Sequence, residues 1–233
     1  MNGPSDRSKA ATNALLLGGV IAGPVFVAVF MIEGATSSGY DPMRLPVSLL
    51  STGEDGWRQV VNFIVDGVLL LGFAIGLYRA FGLRGTPATL GPLLLGVFAL
   101  GIIGAGVFST DPGAGYPPGV RPPSVPTTHS VVHDAVSLLV FIGLPIACFV
   151  LAREFAGWRD SIWATYSAAT GLALTIGVVL LLIGFNGSGG PSDEAGLIQR
   201  VWIVLGWGWI ALLAVYMLRS TESATASSNT AIP

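Results

Sequence analysis

Residues 60–80 read VVNFIVDGVLLLGFAIGLYRA, an apolar stretch that holds a single acidic residue, Asp66. A stretch of about 20 such residues forms a helix long enough to cross the hydrocarbon core of a bilayer. Five further stretches have similar length and composition, at residues 12–33, 88–108, 130–152, 164–185 and 198–218. The sequence therefore predicts an all-α, polytopic membrane protein, built as a bundle of six transmembrane helices.

The overall composition agrees with this fold and excludes one broad class of function. Hydrophobic residues make up 52% of the chain, charged residues make up 10%, and the mean hydropathy is +0.72, which is far more apolar than a soluble domain. A formal net charge of -2, with basic residues spread along the chain, gives no basic surface for nucleic acid. The expected partners are membrane lipids and, beyond them, a membrane-protein partner or further copies of the chain.

The distribution of basic residues indicates the orientation of the bundle. One set of segments holds Arg7, Lys9, Arg79, Arg84, Arg153, Arg159 and Arg219. The opposite set holds Arg44, Arg58, Arg121 and Arg200. By the positive-inside rule the first set is cytoplasmic, so both termini are expected inside. The sequence thus divides into a cytoplasmic tail at 1–12, a six-helix domain at 13–218 and a disordered, Ser/Thr/Ala-rich cytoplasmic tail at 219–233.

Polar and ionisable residues border the predicted outer ends of the helices. Asp66 is the deepest carboxylate, about two turns into the second helix, with Asn62 one turn above it. The other residues of this group are Glu33, Arg44, Arg58, Asp111, His129, His133, Asp134 and Arg200. Because a charge at membrane depth is costly and usually has a function, we expect a polar pocket that opens outward. The apolar segment 45–51 either lies along the interface or dips back into the bundle as a lid.

Two chemical roles follow for the residues of this pocket. The groups that can give and take protons form the candidate catalytic set, namely Asp66, Asp111 and His133. The guanidinium groups suit an anionic headgroup, and amide and carboxylate groups supply further polar contacts. The candidate ligand-binding set is Arg44, Arg58, Asn62, Asp134 and Arg200.

The spacing of the two histidines raises the question of a metal. His129 and His133 are four residues apart, so they project from one face of a helix, as two zinc ligands on a helix do. Asp111 or Asp66 would be the third ligand. In the alternative interpretation, His133 pairs with Asp66 inside the bundle, and His129 and Asp111 cap helix ends. Haem is not expected, because two histidines one turn apart cannot reach opposite faces of its ring, and no nucleotide-binding loop occurs.

Three local motifs resemble those of a known family. They are Thr110-Asp111-Pro112 at the end of the third span, His129 to Asp134 at the start of the fourth, and Gly196-Leu197-Ile198-Gln199-Arg200 at the start of the sixth. With the six-span plan, they resemble the prokaryotic membrane family catalogued as domain of unknown function 998, over residues 13–218. The resemblance implies a multi-pass protein of the bacterial or archaeal plasma (inner) membrane, and it brings no established activity.

Three functions remain open at the level of sequence. The first is binding, or conversion, of a lipid or another lipophilic molecule in the outward-opening pocket. The second is a non-enzymatic accessory or structural subunit, for which the polar groups would satisfy one another in closed pairs. The third is a proton-coupled transporter centred on Asp66, which would need a polar path from Asp66 to the cytoplasm.

Overall fold

The computed structural model describes residues 6–83, 85, 88–187 and 192–229, and within these ranges it is helical and contains no strand. The six long helices are α1 (Asp6–Thr36), α2 (Trp57–Leu83), α3 (Leu90–Val107), α4 (Thr128–Gly157), α5 (Ser161–Phe185) and α6 (Ala195–Asn229). All six are long and apolar enough to cross a membrane. The prediction of an all-α bundle with six membrane-spanning helices is therefore confirmed.

The helices form a closed ring in chain order. Each helix packs against the next one, and α6 closes the ring by packing against α1. Large side chains such as Phe26, Phe73 and Trp209 fill the interior, whereas Ile32 and Leu172 are among many apolar side chains exposed on the outside, as suits a surface in contact with lipid. Because an even number of helices alternates in direction, both termini lie at one end, which we call the terminal end. The long loops at 37–56 and 108–127 lie at the opposite end, the long-loop end.

Glycines bring the backbones of α1, α2 and α3 close together. A Cβ atom on Gly18 would lie 2.5 Å from the carbonyl oxygen of Leu69, and one on Gly67 would lie 2.9 Å from the carbonyl oxygen of Ala99. Such close approach is typical of helices in membranes, where packing rather than exclusion of water drives association. These three helices therefore form the tightly packed side of the ring.

The first long loop turns back into the bundle. After Pro46 it forms a short 3₁₀ helix, Val47–Thr52, whose side chains Val47, Leu49 and Leu50 are buried. The phenol of Tyr40 donates hydrogen bonds to the carbonyl oxygens of Leu45 (3.1 Å) and Pro46 (3.0 Å). The sequence allows segment 45–51 either to lie along the membrane interface or to dip back into the bundle. In the structure it enters the bundle.

The helices at the two termini extend beyond the predicted domain limits. Helix α1 begins at Asp6, so residues 6–12 of the predicted tail are helical. Helix α6 continues to Asn229, so the structure has helix where a disordered tail was expected from 219 onward. The reason is that an existing helix grows at little cost through residues such as Ala, Glu and Ser when glycine and proline are absent. Residues 1–5 and 230–233 of these tails, and Arg84, lie outside the described residues.

Candidate functional site

A cavity of about 430 Å³ lies inside the ring at the long-loop end. All six helices contribute to its wall, as does the 3₁₀ helix. Most of the wall is apolar and aromatic, from Phe26, Phe63, Phe141, Phe185, Trp202 and Trp207 among others. The polar groups on the wall include Asp111, His133, Asp134, Ser137 and Gln199. Volume and lining both match the pockets that bind small molecules, which measure about 300–1,000 Å³. We call it the central cavity.

The 3₁₀ helix covers one side of the central cavity, and α6 holds it there. The backbone N–H of Val47 donates a hydrogen bond of 2.8 Å to Oε1 of Gln199. Both residues are buried, and both line the cavity together with Pro46 and Leu49. The side-chain oxygen of Gln199 therefore accepts a hydrogen bond from the loop, while its side-chain amide nitrogen, Nε2, remains able to donate to a ligand.

The contacts of His133 indicate which of its ring nitrogens carries a hydrogen. Its Nδ1 lies 2.7 Å from the carbonyl oxygen of Phe108 and 3.2 Å from that of Ala105. Carbonyl oxygens only accept hydrogen bonds, so Nδ1 must carry the hydrogen. In the neutral ring, Nε2 is then the acceptor, and it is the ring nitrogen available to a ligand in the central cavity, whose wall includes His133. The end of α3 thus orients the imidazole on α4.

Asp66 lies behind the wall of the central cavity. The indole Nε1 of Trp207 donates to Oδ1 and Oδ2 of Asp66, at 3.1 Å each. The Trp207 ring stacks on Phe26, with centroids 5.2 Å apart and planes 9° apart, and meets Phe98 edge-on. Trp207 therefore forms part of the wall of the central cavity. Asp66 fixes the orientation of the indole from the side that faces away from the cavity. Among the described residues, no basic side chain forms an ion pair with Asp66.

We expect Asp66 to stabilise the fold mainly as a hydrogen-bond acceptor for Trp207. Replacing Asp66 with leucine should lower the free energy of unfolding by about 2 kcal/mol, because it leaves a buried indole N–H without a partner. Asp66→Asn keeps one carbonyl oxygen and should cost clearly less. Thermal unfolding in a non-ionic detergent measures both. If the asparagine variant loses as much stability as the leucine variant, the charge of Asp66 matters rather than the acceptor.

Asn62 also points away from the central cavity. Its amide nitrogen donates to the carbonyl oxygen of Phe26 (3.1 Å) and to Oε1 of Gln59 (3.2 Å). Gln59, Asn62 and Asp66 lie three and four residues apart, so they form a buried polar face on α2 that meets α1 and α6. The polar groups predicted on α2 are thus packed between helices.

Asp111 holds the start of α4 against the end of α3. Its two carboxylate oxygens accept hydrogen bonds from the side chain (2.7 Å) and the backbone N–H (2.8 Å) of Thr127. Thr127 is the N-cap of α4, where its hydroxyl oxygen accepts from the N–H of Ser130 (3.2 Å). These hydrogen bonds from Thr127 lower the pKa of Asp111 below its ordinary value. Asp111 thus fixes a loop at the edge of the central cavity.

The lowered pKa of Asp111 predicts the pH dependence of this contact. A carboxyl group whose pKa is lower in the folded state stabilises above its unfolded pKa of about 3.9, and loses this effect as the pH falls through the folded value. We therefore expect the contact with Thr127 to persist at neutral pH and to weaken only below about pH 4. An NMR titration of the Thr127 amide should show one acid transition, absent in Asp111→Asn. A transition near neutral pH would contradict the assignment.

Two of the three predicted headgroup arginines form surface ion pairs. Arg44 pairs with Asp193 at 3.4 Å, and Arg58 pairs with Asp55 at 3.0 Å. Both arginines are exposed. Neither lines the central cavity.

Arg200 is buried and bonds to the first long loop. Its Nη1 donates to the carbonyl oxygens of Gly196 (2.9 Å) and Leu45 (3.2 Å), and its Nη2 donates to the phenol oxygen of Tyr40 (2.8 Å). The guanidinium also lies over the rings of Phe30 and Tyr40. Burial raises the pKa of the Tyr40 phenol above its ordinary value, against the opposing effect of Arg200. Arg200 thus anchors the loop to α6 and does not line the central cavity.

The two histidines do not converge. His129 is exposed and packs against the ring of Phe108, with centroids 5.5 Å apart, whereas His133 is buried and bonded to carbonyl oxygens. In the described part of the chain, no group of three or more His, Cys, Asp or Glu side chains could hold a metal ion. Asp66 accepts from Trp207 and His133 bonds to carbonyl oxygens, and within the described ranges no hydrogen bond joins His133 to Asp66.

Of the predicted site residues, the structure brings Asp111, His133 and Asp134 together on the central cavity. Gln199 and Trp207 also line the central cavity, although neither is among the predicted site residues. Each had a signal: Gln199 is an uncharged polar residue inside an apolar stretch, and Trp207 lies in the middle of its span rather than at an end, where interfacial tryptophans belong. Glu33 and Arg58 line a separate cavity.

Comparison with known proteins identifies a family without an assigned activity. No curated protein and no solved structure matches the chain. A family model does match, over residues 20–216, which cover nearly all of the six helices. The chain is an integral membrane protein of six apolar helices. By this match it belongs to the family described as "Protein of unknown function (DUF998)".

Proposed function

We propose that this protein binds a lipid or another lipophilic small molecule in the central cavity. The supporting observation is the cavity itself, about 430 Å³ inside the ring, with a mainly apolar wall and a few polar groups at the long-loop end. Apolar pockets with a small number of convergent polar groups are the usual form of a ligand site. The ligand's apolar part would pack against Phe26, Trp202 and Trp207.

The polar groups on the wall define the part of the ligand that they would recognise. The Nε2 of His133 can accept a hydrogen bond, and the amide nitrogen of Gln199 can donate one. A hydroxyl, carboxylic acid or amide can donate and accept at once, so it satisfies both. A ligand with such a group at one end and an apolar body fits the cavity in one orientation.

We propose binding rather than conversion. Of the predicted acid/base set, His133 lines the cavity, Asp111 has both carboxylate oxygens bonded to Thr127, and Asp66 lies behind Trp207. Of this set, only His133 presents a free acid/base atom to the cavity, which favours recognition over chemistry. If both termini are cytoplasmic, as the basic residues predict, the long-loop end faces outward, and the ligand would come from the outer leaflet of the plasma membrane.

The other two functions have less support. A transporter needs a polar path that continues beyond Asp66, but the next side chains on the same face of α2 are Leu70, Phe73 and Leu77, all buried and apolar. An accessory subunit needs polar groups in closed pairs, which Arg44, Arg58 and Asp111 do form, but such a role does not account for the open central cavity. We therefore keep lipophile binding as the proposal.

Filling the central cavity should abolish binding. Ser137 lies on the wall, so Ser137→Phe should reduce the amount of co-purified lipophile at least about tenfold, a loss of roughly 1.4 kcal/mol. Native mass spectrometry of the protein from mild detergent measures the bound mass, and solvent extraction identifies it. Leu138→Phe is the matched control, because Leu138 is the adjacent residue, is exposed and does not line the cavity.

A second pair of variants tests the role of His133. His133→Asn keeps a donor where Nδ1 meets the carbonyl oxygens of Phe108 and Ala105, but it removes the acceptor at Nε2. We expect this variant to fold normally and to lose the ligand. An empty wild-type protein, or a ligand that is retained equally in Ser137→Phe and His133→Asn, would refute the proposal.

A further inference from the structure

A second cavity, of about 660 Å³, lies at the long-loop end between the end of α1 and the two long loops. We call it the Glu33 cavity. Its wall includes Glu33, Leu50, residues 52–56, Arg58 and residues 116–118. None of its lining residues belongs to the central cavity. An inference from it therefore does not rest on the function proposed above.

Glu33 is the unusual group on this wall. The residue is only 6% exposed, and its Oε2 is buried without a hydrogen-bond partner among the described residues. Buried polar atoms are nearly always bonded, because an unpaired one loses the free energy of its contact with water. A buried carboxylate oxygen without a partner indicates a place where a hydrogen-bond donor can bind. The donor that binds a carboxylate most strongly is a cation.

The other charges on the wall favour a cationic ligand as well. Glu54 and Asp55 add two carboxylates, and Arg58 is the only basic side chain on the described wall. Arg58 donates to Asp55 at 3.0 Å and lies over the ring of Trp57, and in the described part of the chain it forms no salt bridge with Glu33. The cavity thus has an excess of negative charge, with its most buried carboxylate oxygen unpaired.

The rest of the wall distinguishes an organic cation from a metal ion. Tyr116, Pro117, Pro118 and Leu50 give it apolar and aromatic surface, which alkyl groups on a nitrogen can contact and a hydrated ion cannot. Divalent metals need several ligands at about 2.0–2.6 Å, and no such group of side chains gathers among the described residues. The volume is also far larger than a bare ion needs.

We propose that the Glu33 cavity binds an alkylammonium group, with Glu33 as its counterion and Tyr116 as its aromatic contact. A free amine and the ammonium headgroup of a zwitterionic phospholipid share this chemistry. The cavity opens at the long-loop end, where both can reach it.

Isothermal titration calorimetry of the full chain in a non-ionic detergent tests the proposal with choline chloride. The neutral isostere 3,3-dimethyl-1-butanol replaces the nitrogen by carbon, so it measures the effect of the charge alone. We expect choline to bind, the alcohol not to bind, and Glu33→Gln to weaken choline binding at least about tenfold. Glu154→Gln is the matched control, because Glu154 has a buried, unpaired Oε2 at the terminal end of α4. Choline binding should be unchanged in it.

Two further variants keep the test valid if Glu33→Gln does not fold. Ser38 is exposed on the wall, so Ser38→Trp should block the cavity without touching Glu33, and Glu54→Gln should weaken binding about threefold through the lost charge. The proposal would be overturned if the wild type did not bind choline or if the neutral alcohol bound equally well. It would also be overturned if neither variant changed choline binding. Calcium chloride binding in place of choline, with the same dependence on Glu33, would overturn it too.

A lipid arm of the experiment distinguishes the two sources of the ammonium group. Native mass spectrometry from mixed micelles compares retention of phosphatidylcholine with that of phosphatidylglycerol. A preference for phosphatidylcholine that Glu33→Gln removes supports the headgroup as ligand. Choline binding without any lipid preference supports a free amine.

Discussion

Gly196→Ala is expected to destabilise the protein by about 3 kcal/mol. A Cβ atom at this position would lie 2.6 Å from the carbonyl oxygen of Pro42 and 2.7 Å from that of Leu45. Both are backbone atoms of the first long loop, which the N–H of Leu197 also holds through the carbonyl oxygen of Met43 (3.0 Å). Neither the loop nor the start of α6 can move away without breaking these bonds, so overpacking is costly.

The measurement is thermal or denaturant unfolding in a non-ionic detergent, with Gly208→Ala as the control. Gly208 lies in the same helix, and a Cβ there would meet nothing within 4 Å. That substitution should be neutral or slightly stabilising, since alanine is the better helix former. Similar losses in the two variants would show that the contact with the loop is not responsible.

Removing the guanidinium of Arg200 should have an effect of the same size. Arg200→Leu removes the charged donor from the carbonyl oxygens of Leu45 and Gly196 and from the phenol oxygen of Tyr40, whereas Tyr40 still donates to Leu45. A hydrogen bond to a charged group contributes about 1.5–3 kcal/mol, and because Tyr40 and Leu45 stay bonded to each other we expect a total loss of about 3 kcal/mol. Arg200→Lys should recover only part of it, because an ammonium cannot reach three acceptors with the geometry of a planar fork.

Arg44→Leu is the control for this prediction. Its ion pair with Asp193 is exposed on both sides, so its loss should cost at most about 1 kcal/mol. Unfolding in detergent compares the two leucine variants. Hydrogen exchange of residues 40–47 adds a local readout, since the loop should lose protection in Arg200→Leu. Full protection of the loop in that variant would contradict the anchoring role.

Hydropathy alone predicted the fold because each span depends on its own local composition. The six apolar stretches correspond to α1–α6, and the bundle follows from their number and length. The exceptions are at the two termini, where helix continues through residues that are not apolar. Sequence also found some of the polar groups at the central cavity, since Asp111 follows the third span, His133 and Asp134 open the fourth, and consecutive spans meet at the loop that joins them.

Sequence could not predict which way a polar side chain faces within the ring. Asp66 and His133 have similar depth and polarity in the sequence, yet one lies behind Trp207 and the other lines the cavity. The rotation of each helix about its axis decides this, and that rotation depends on packing against two neighbours. The partner of Asp66 is 141 residues away in the chain, so no local pattern indicates it.

The sequence by itself determined that the protein lies in a membrane, how many helices it has and at which end of the bundle polar groups collect. These properties follow from the free energy of transferring short segments into a bilayer. The tertiary structure alone decided that Arg200 binds loop carbonyl oxygens, that Gln199 holds the 3₁₀ helix, and that Glu33 has an unpaired oxygen in a cavity of its own. The physical reason is that hydrogen bonds form between atoms brought together by packing, across separations such as the 160 residues between Tyr40 and Arg200.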